Sequence, residues 1–380
     1  MNVYLDHAAT TPIHPEVRLA MLPYLEDSFG NPSSIHSFGR RARHAIDHAR
    51  DQVANGLNTK ANHIVFTSGG TEADNLAVMG VAQAERSNGK NHIITTQIEH
   101  HAVLDTCRYL ETLGYEITYL PVDRTGRMDL NDLKTAITER TALISIMYGN
   151  NEVGTLQPIR EIGELAKEKG IIFHTDAVQA LGVKKLDVND LPVDLLTITG
   201  HKINGPKGIG ALYIKDNLKI IPRTFGGSQE RRKRPGTENI LGIIGLGQAV
   251  EIAVKNQEQN EQRLDELRNH FLQALDIHHI QYVMNGNREL TLPHILNISF
   301  PGMDTETLLM NLDMVGIACS SGSACTSGTL EVSHVLEAMN LSKQITKSAV
   351  RFSLGLGTKT AEIDYTVQQI QRIMNRLQGN

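Results

Sequence analysis

The chain has 380 residues, 40% hydrophobic and 21% charged, with 37 Lys+Arg against 42 Asp+Glu and a formal net charge of −5. That length suits about two or three domains with ample core, and the mildly acidic balance argues against generic nucleic-acid binding. Apolar runs such as Ile144–Met147 are too short for a membrane span, Asp6 and His7 stand where an export signal needs apolar residues, and three cysteines make no disulfide framework. The expectation is a reduced, soluble, cytoplasmic protein.

From about residue 60 to 215, short apolar runs alternate with helical patterns. His63–Thr67 reads as a strand, Thr71–Arg86 as a helix and His92–Thr96 as a strand. Ala102–Leu113 reads as a helix with Val103, Leu104, Cys107 and Leu110 on one face. Strand Glu116–Leu120, helix Asn131–Ile137, strand Ala142–Tyr148, helix Ile159–Lys169 and strand Ile171–Thr175 follow, then strands Asp194–Thr199 and Ile209–Ile214. Alternating strands and helices predict crossover units and an α/β fold with a mainly parallel sheet covered on both faces. Ligands bind such sheets at the carboxyl ends of the strands. After residue 238 the pattern changes to a long helical stretch, Glu238 through Leu275, and then to strand Ile295–Phe300, helix Thr305–Met314, a Ser/Gly loop Ser320–Gly328, strand Val350–Leu354 and a helix from Ala361. A second, smaller domain is expected beyond a boundary near 255–265.

Four strand ends carry chemistry. Thr67-Ser68-Gly69-Gly70-Thr71-Glu72 runs from a strand through glycines into a helix start, which makes either a phosphate seat or simply a capped helix. Asp176 ends an apolar strand. Thr199-Gly200-His201-Lys202 ends another and leads into the Gly-rich Asn204–Gly208. Glu99-His100-His101 follows a third, its histidines suited equally to capping or to metal ligation. Together, a phosphate seat, a carboxylate and a lysine at the strand ends of one sheet are the parts of a pyridoxal phosphate site: the lysine forms the Schiff base and the carboxylate keeps the pyridine nitrogen protonated.

Further on, Ser320–Gly328 is small, polar and flexible by composition, and Cys325 within it has no apolar neighbours to bury it, as a reactive thiol requires. Arg351, flanked by apolar residues in a strand, either pairs internally or holds an anion such as a substrate carboxylate.

These motifs resemble the cysteine desulfurases of the NifS/IscS type, group I of the class V aminotransferases. The resemblance is carried by Thr199–Gly208, Tyr4–Pro12, Gly30-Asn31-Pro32-Ser33-Ser34, Asn150-Asn151-Glu152-Val153-Gly154 and Ser321–Cys325, and runs from residue 3 to the last helix. It implies the type I fold of pyridoxal-phosphate-dependent transferases. A large domain, 15–258, would hold a mainly parallel seven-stranded sheet, and a smaller α+β domain, 1–14 with 259–380, would carry the catalytic loop 320–330.

It implies Lys202 as the Schiff-base lysine, Asp176 as the pyridinium partner and His100 as the ring-stacking, proton-moving histidine. Asn151 and Gln179 would contact the ring and its phenolic oxygen. Gly70, Thr71, Thr199 and His201 would hold the phosphate, with Thr237 reaching across from a second subunit of a homodimer. Arg351, with Asn151, would clamp the substrate carboxylate, and Cys325 would become the persulfide. Thr199 replaces a serine of several relatives, and Gly70 an alanine. The implied activity converts L-cysteine to L-alanine and passes sulfur to acceptors for iron–sulfur cluster assembly or tRNA thiolation. No intrinsic metal is expected, though Cys325 could touch a cluster during delivery.

Other readings are a selenocysteine lyase or another pyridoxal enzyme, which would not need Cys325, and an iron–sulfur protein built on Cys319, Cys325 and the histidine pair, whose cysteine spacing is poor for chelation. Nucleic-acid binding through Arg231-Arg232-Lys233-Arg234 lacks interleaved aromatics for stacking.

Overall fold

Strands of a parallel sheet buried on both faces must be apolar almost throughout. In this chain, determined as a computed structural model that describes residues 1–322 and 332–378, six of the seven central strands are buried nearly throughout, several with polar residues at their ends, and the edge strand Glu116–Leu120 is mostly exposed or half-buried. After β1 (Val3–Tyr4), the seven are β2 (Ile64–Thr67), β3 (His92–Thr96), β4 (Glu116–Leu120), β5 (Thr141–Ser145), β6 (Ile172–Asp176), β7 (Leu195–Thr199) and β8 (Gly210–Ile214). Their order in the sheet is β2-β8-β7-β6-β5-β3-β4. β4, β3, β5, β6 and β7 run parallel, and only β8 opposes its neighbours. Alternate residues of each strand feed opposite cores: Ile93, Leu143 and Leu195 pack on one face against helices Gly70–Arg86 and His101–Thr112, while Ile94, Ile144 and Leu196 pack on the other.

That second core takes in helices Ser37–Gly56 and Ile240–Lys255. A Cβ on Gly247 would lie 2.8 Å from the Ala49 backbone, so the close approach of these two helices requires the glycine. The long helical stretch expected from about 238 to 275 is two helices, Ile240–Lys255 and Gln257–Ile277. Asn256 breaks it: its side-chain amide bonds the Ile252 carbonyl at 3.1 Å, the local competition that makes Asn a poor interior helix residue.

Beyond these helices lie β9 (Val283–Asn285), β10 (Ile295–Ser299), β11 (Ile317–Ala318) and β12 (Ala349–Ser353). An antiparallel sheet runs β12-β10-β9, and β1 at the chain start pairs in parallel with β11, more than three hundred residues later. This pairing brings Asp6–Ala9 to the carboxyl ends of the central strands.

Candidate active site

Five segments end at the carboxyl edge of the central sheet and enclose a cavity of about 400 Å³. Lys202 and His201 come from a short 3-10 turn after β7, Asp176 and Gln179 from the end of β6, Asn151 from the loop after β5 and His100 from the loop after β3. Gly70 and Thr71 come from the helix after β2, and Thr199 and Arg351 from β7 and β12. All these sequence-selected residues line the same space. Thr237 does not; it is exposed. Cys325 lies outside the described residues.

The lysine sits in a setting that disfavours its charge. Burial, then the Arg351 guanidinium, push its ammonium down to about 8, against the pull of Asp176 and Asp6. Its Nζ donates to the carbonyls of Ala8 and Ala9, the latter at 2.9 Å. The buried Asp176 accepts from the Val178 amide at 2.9 Å. Burial raises its carboxyl to about 6, partly offset by that hydrogen bond and by Lys202. A cation placed beside it would draw the value down again.

The seventeen-residue helix Gly70–Arg86 begins at the same cavity. No carbonyl within the helix can satisfy the amides of its first turn, and its dipole is positive there, so Gly70 and Thr71 present an anion seat. An alanine at 70 would crowd Val178 Cγ2 at 3.1 Å, so the glycine is not interchangeable here without a small shift. The Thr199 hydroxyl already donates to the Ile209 carbonyl at 3.0 Å. His201 Nδ1 lies 3.4 Å from Thr10 Oγ1, and burial with Lys202 and Lys207 holds the ring neutral, at about 4.

Of the two roles its sequence context allowed, His100 takes the first, capping. Its Nδ1 accepts the Ala102 amide at 3.1 Å, capping helix His101–Thr112, so the neutral ring carries its proton on Nε2. Burial, followed by Lys202, lowers its value to about 4. Among the described residues, no cluster of His, Cys, Asp or Glu has the geometry of a metal site.

Arg351 does pair internally: Nη2 donates to Asp6 Oδ1 at 2.8 Å and Nη1 to the Asn151 carbonyl at 3.0 Å, while Nε makes no hydrogen bond. The guanidinium still borders the cavity, so the ion pair fixes its plane there. Substituting Arg351→Lys is expected to lower kcat/KM about ten- to a hundredfold, corresponding to about 1.5–3 kcal/mol for a charge-assisted hydrogen bond, with kcat less affected. Unchanged steady-state kinetics would make Arg351 a structural partner of Asp6 only.

Sequence reasoning missed Asp74. This buried carboxyl lines the cavity one helical turn below Gly70 and Thr71, and burial with the adjacent Asp176 pushes it well above the usual carboxylate range. The spacing from Gly70 and Thr71, four and three residues, was the available signal.

The residues present therefore fit pyridoxal phosphate: a buried carboxylate for the ring nitrogen, a helix terminus for the phosphate and a lysine share one cavity. Residues 3–366 match the aminotransferase class-V family, and the chain belongs to that family, whose cofactor is pyridoxal phosphate. Among curated relatives, the cysteine desulfurase IscS of Dictyoglomus turgidum is 50% identical, covering 99% of this chain and 95% of its own. The putative cysteine desulfurase IscS 1 of Bacillus subtilis is 49% identical, covering 99% of each. A solved NifS-like protein superposes with a TM-score of 0.93 at 36% identity, over 99% of this chain and all of the other. The structure of SspA in complex with cysteine matches with a TM-score of 0.82 at 37% identity, over 93% of this chain and 98% of that one. The fold is that of type I pyridoxal-phosphate-dependent transferases.

Proposed function

We propose that this chain takes sulfur from L-cysteine, releases L-alanine and carries the sulfur as a persulfide on Cys325. It is a pyridoxal-phosphate-dependent cysteine desulfurase. One observation supports the site assignment above all: Lys202, Asp176, the Gly70–Thr71 helix start and Arg351 converge on one cavity.

Bound pyridoxal phosphate supplies an electron sink that acidifies the substrate Cα proton and weakens its hold on sulfur. Every other part falls to the chain. Asp176 would keep a negative charge beside the ring nitrogen, and Gly70, Thr71 and His201 would seat the phosphate, with Thr199 once its hydroxyl turns from the Ile209 carbonyl and with Thr237 of a second copy. Arg351 and Asn151 orient the substrate carboxylate. Lys202 would hold the cofactor, and its free amine would move the proton at Cα; a lysine poised near 8 is neutral often enough to act as a base. His100 would face the cofactor ring, with its Nε2 proton left for the cavity it lines.

The Cys325 thiolate then attacks the substrate sulfur, forming an S–S bond as the Cβ–S bond breaks. The two sulfurs are together oxidised by the reduction of that carbon to a methyl group. One thiol and one cysteine become one persulfide and one alanine, and no outside oxidant is needed. The persulfide passes to an acceptor protein serving iron–sulfur cluster assembly or tRNA thiolation. An incubation with L-cysteine should yield alanine and a sulfur that a thiol can release; a keto acid in place of alanine would contradict this reading.

The chain works as a homodimer in the cytoplasm, dividing into a large unit, 15–258, and a smaller one, 1–14 with 259–380. The exposed apolar side chains of Phe29, Ile35 and Phe225, with Thr237 on the surface, support a partner copy. The pairing of β1 with β11 supports grouping the first residues with the last part of the chain. Among the described residues no helix is long and apolar enough to cross a membrane. Light scattering should give twice the chain mass; a fully active monomer would overturn the shared phosphate site.

A further inference from the structure

We infer that His294 is a positioning residue that locks the side-chain amide of Gln179 with its N–H group turned to the cofactor. The inference rests on the reading of Gln179 as the contact to the phenolic oxygen. His294 lies in the turn before β10, its carbonyl tied to the Leu354 amide at 2.8 Å, and it does not line the cofactor cavity. Its side chain approaches Gln179 from behind: His294 Nε2 and Gln179 Oε1 are 3.2 Å apart, and Gln179 Nε2 is 3.0 Å from the Ala8 carbonyl.

These two contacts settle each other. A backbone carbonyl can only accept, so the Gln179 nitrogen must face Ala8 and its oxygen must face His294. The amide oxygen then needs a donor, which places the imidazole proton on Nε2. Burial lowers the ring to about 3, so it never becomes a cation near neutral pH and keeps that single proton. Nδ1, left as a bare acceptor, makes no hydrogen bond. A flipped Gln179 would set oxygen against oxygen at Ala8. With the oxygen and one N–H engaged, the second N–H of Gln179 is the group left for the cavity that the residue lines. The same Ala8 carbonyl accepts from Lys202, so amide and lysine share one anchor.

His294→Leu removes the donor while keeping an apolar body. The apoprotein should then bind pyridoxal phosphate about three- to tenfold more weakly, the scale of one buried hydrogen bond. The pH midpoint of the bound cofactor's visible band should rise, because a phenolic oxygen deprived of its donor holds the nearby proton more tightly. His294→Asn, which restores an N–H on a shorter arm, should recover most of both. In a Gln179→Leu background, His294→Leu should add nothing. Unchanged affinity and midpoint in His294→Leu, or an equal further loss in the Gln179→Leu background, would overturn the inference. A Gln179→Leu variant that itself shifts neither would instead overturn the assignment of Gln179, and the inference with it. In the unsubstituted apoprotein, nitrogen NMR of labelled histidine should show His294 as the neutral Nε2–H tautomer at pH 7, and an Nδ1–H tautomer would overturn the locking contact directly.

Discussion

Lys202→Ala is expected to abolish the borohydride-reducible link between protein and cofactor and to reduce alanine formation by about 10²–10⁴-fold or more, the range lost with a positioned proton-transfer group alone. The link and the proton transfer fail together because one nitrogen serves both. Lys207, five residues on and exposed, cannot substitute. Lys202 is the lysine that lines the cavity, held by the Ala8 and Ala9 carbonyls. The anion seat and Asp176 are untouched, so the variant should still bind pyridoxal phosphate noncovalently and keep its fold. A reduced adduct mapped to Lys207 would refute the assignment.

Cys325→Ala should lower turnover by several orders of magnitude while leaving the yellow cofactor and cysteine binding intact, since removing an attacking thiol stops one bond from forming and leaves the pocket whole. The other two thiols are poor replacements. Cys107 is fully buried against Val103 and Leu110 on the sheet side of its helix, and burial pushes its thiol up to about 12. Cys319 follows β11, half-buried; burial and Asp6 raise its pKa strongly despite Arg351 nearby. A thiol that stays protonated near neutral pH is a weak nucleophile. Cys319→Ala and Cys107→Ala should each retain most activity.

The central sheet was legible because a strand covered on both faces must be apolar along its length, so β3, β5 and β7 stood out as short runs between helical patterns. The site was legible through the same geometry, since Gly70, His100 and Lys202 each follow a strand and Asp176 ends one. Direction was not: nothing in Ile209–Ile214 signals that β8 runs against its neighbours. Helix Ser37–Gly56 was overlooked although its period was there to be read: Ala42, Ala45, Ile46, Ala49 and Val53 are buried at helical spacing among charged residues. The Arg351–Asp6 pair spans 345 residues and depends on the β1–β11 pairing, which two-residue strands do not announce. Asp74 and His294 act through three-dimensional neighbours, Asp176 and Gln179, and no local motif marks such a partnership.

The most direct test is peptide mass mapping of the enzyme after a brief incubation with L-cysteine and alkylation, with alanine measured in the same sample. The account predicts one extra sulfur atom on the peptide bearing Cys325, in amounts matching the first alanine released, and none on the peptides of Cys107 or Cys319. Extra sulfur on Cys319, with Cys325→Ala still turning over, would contradict it.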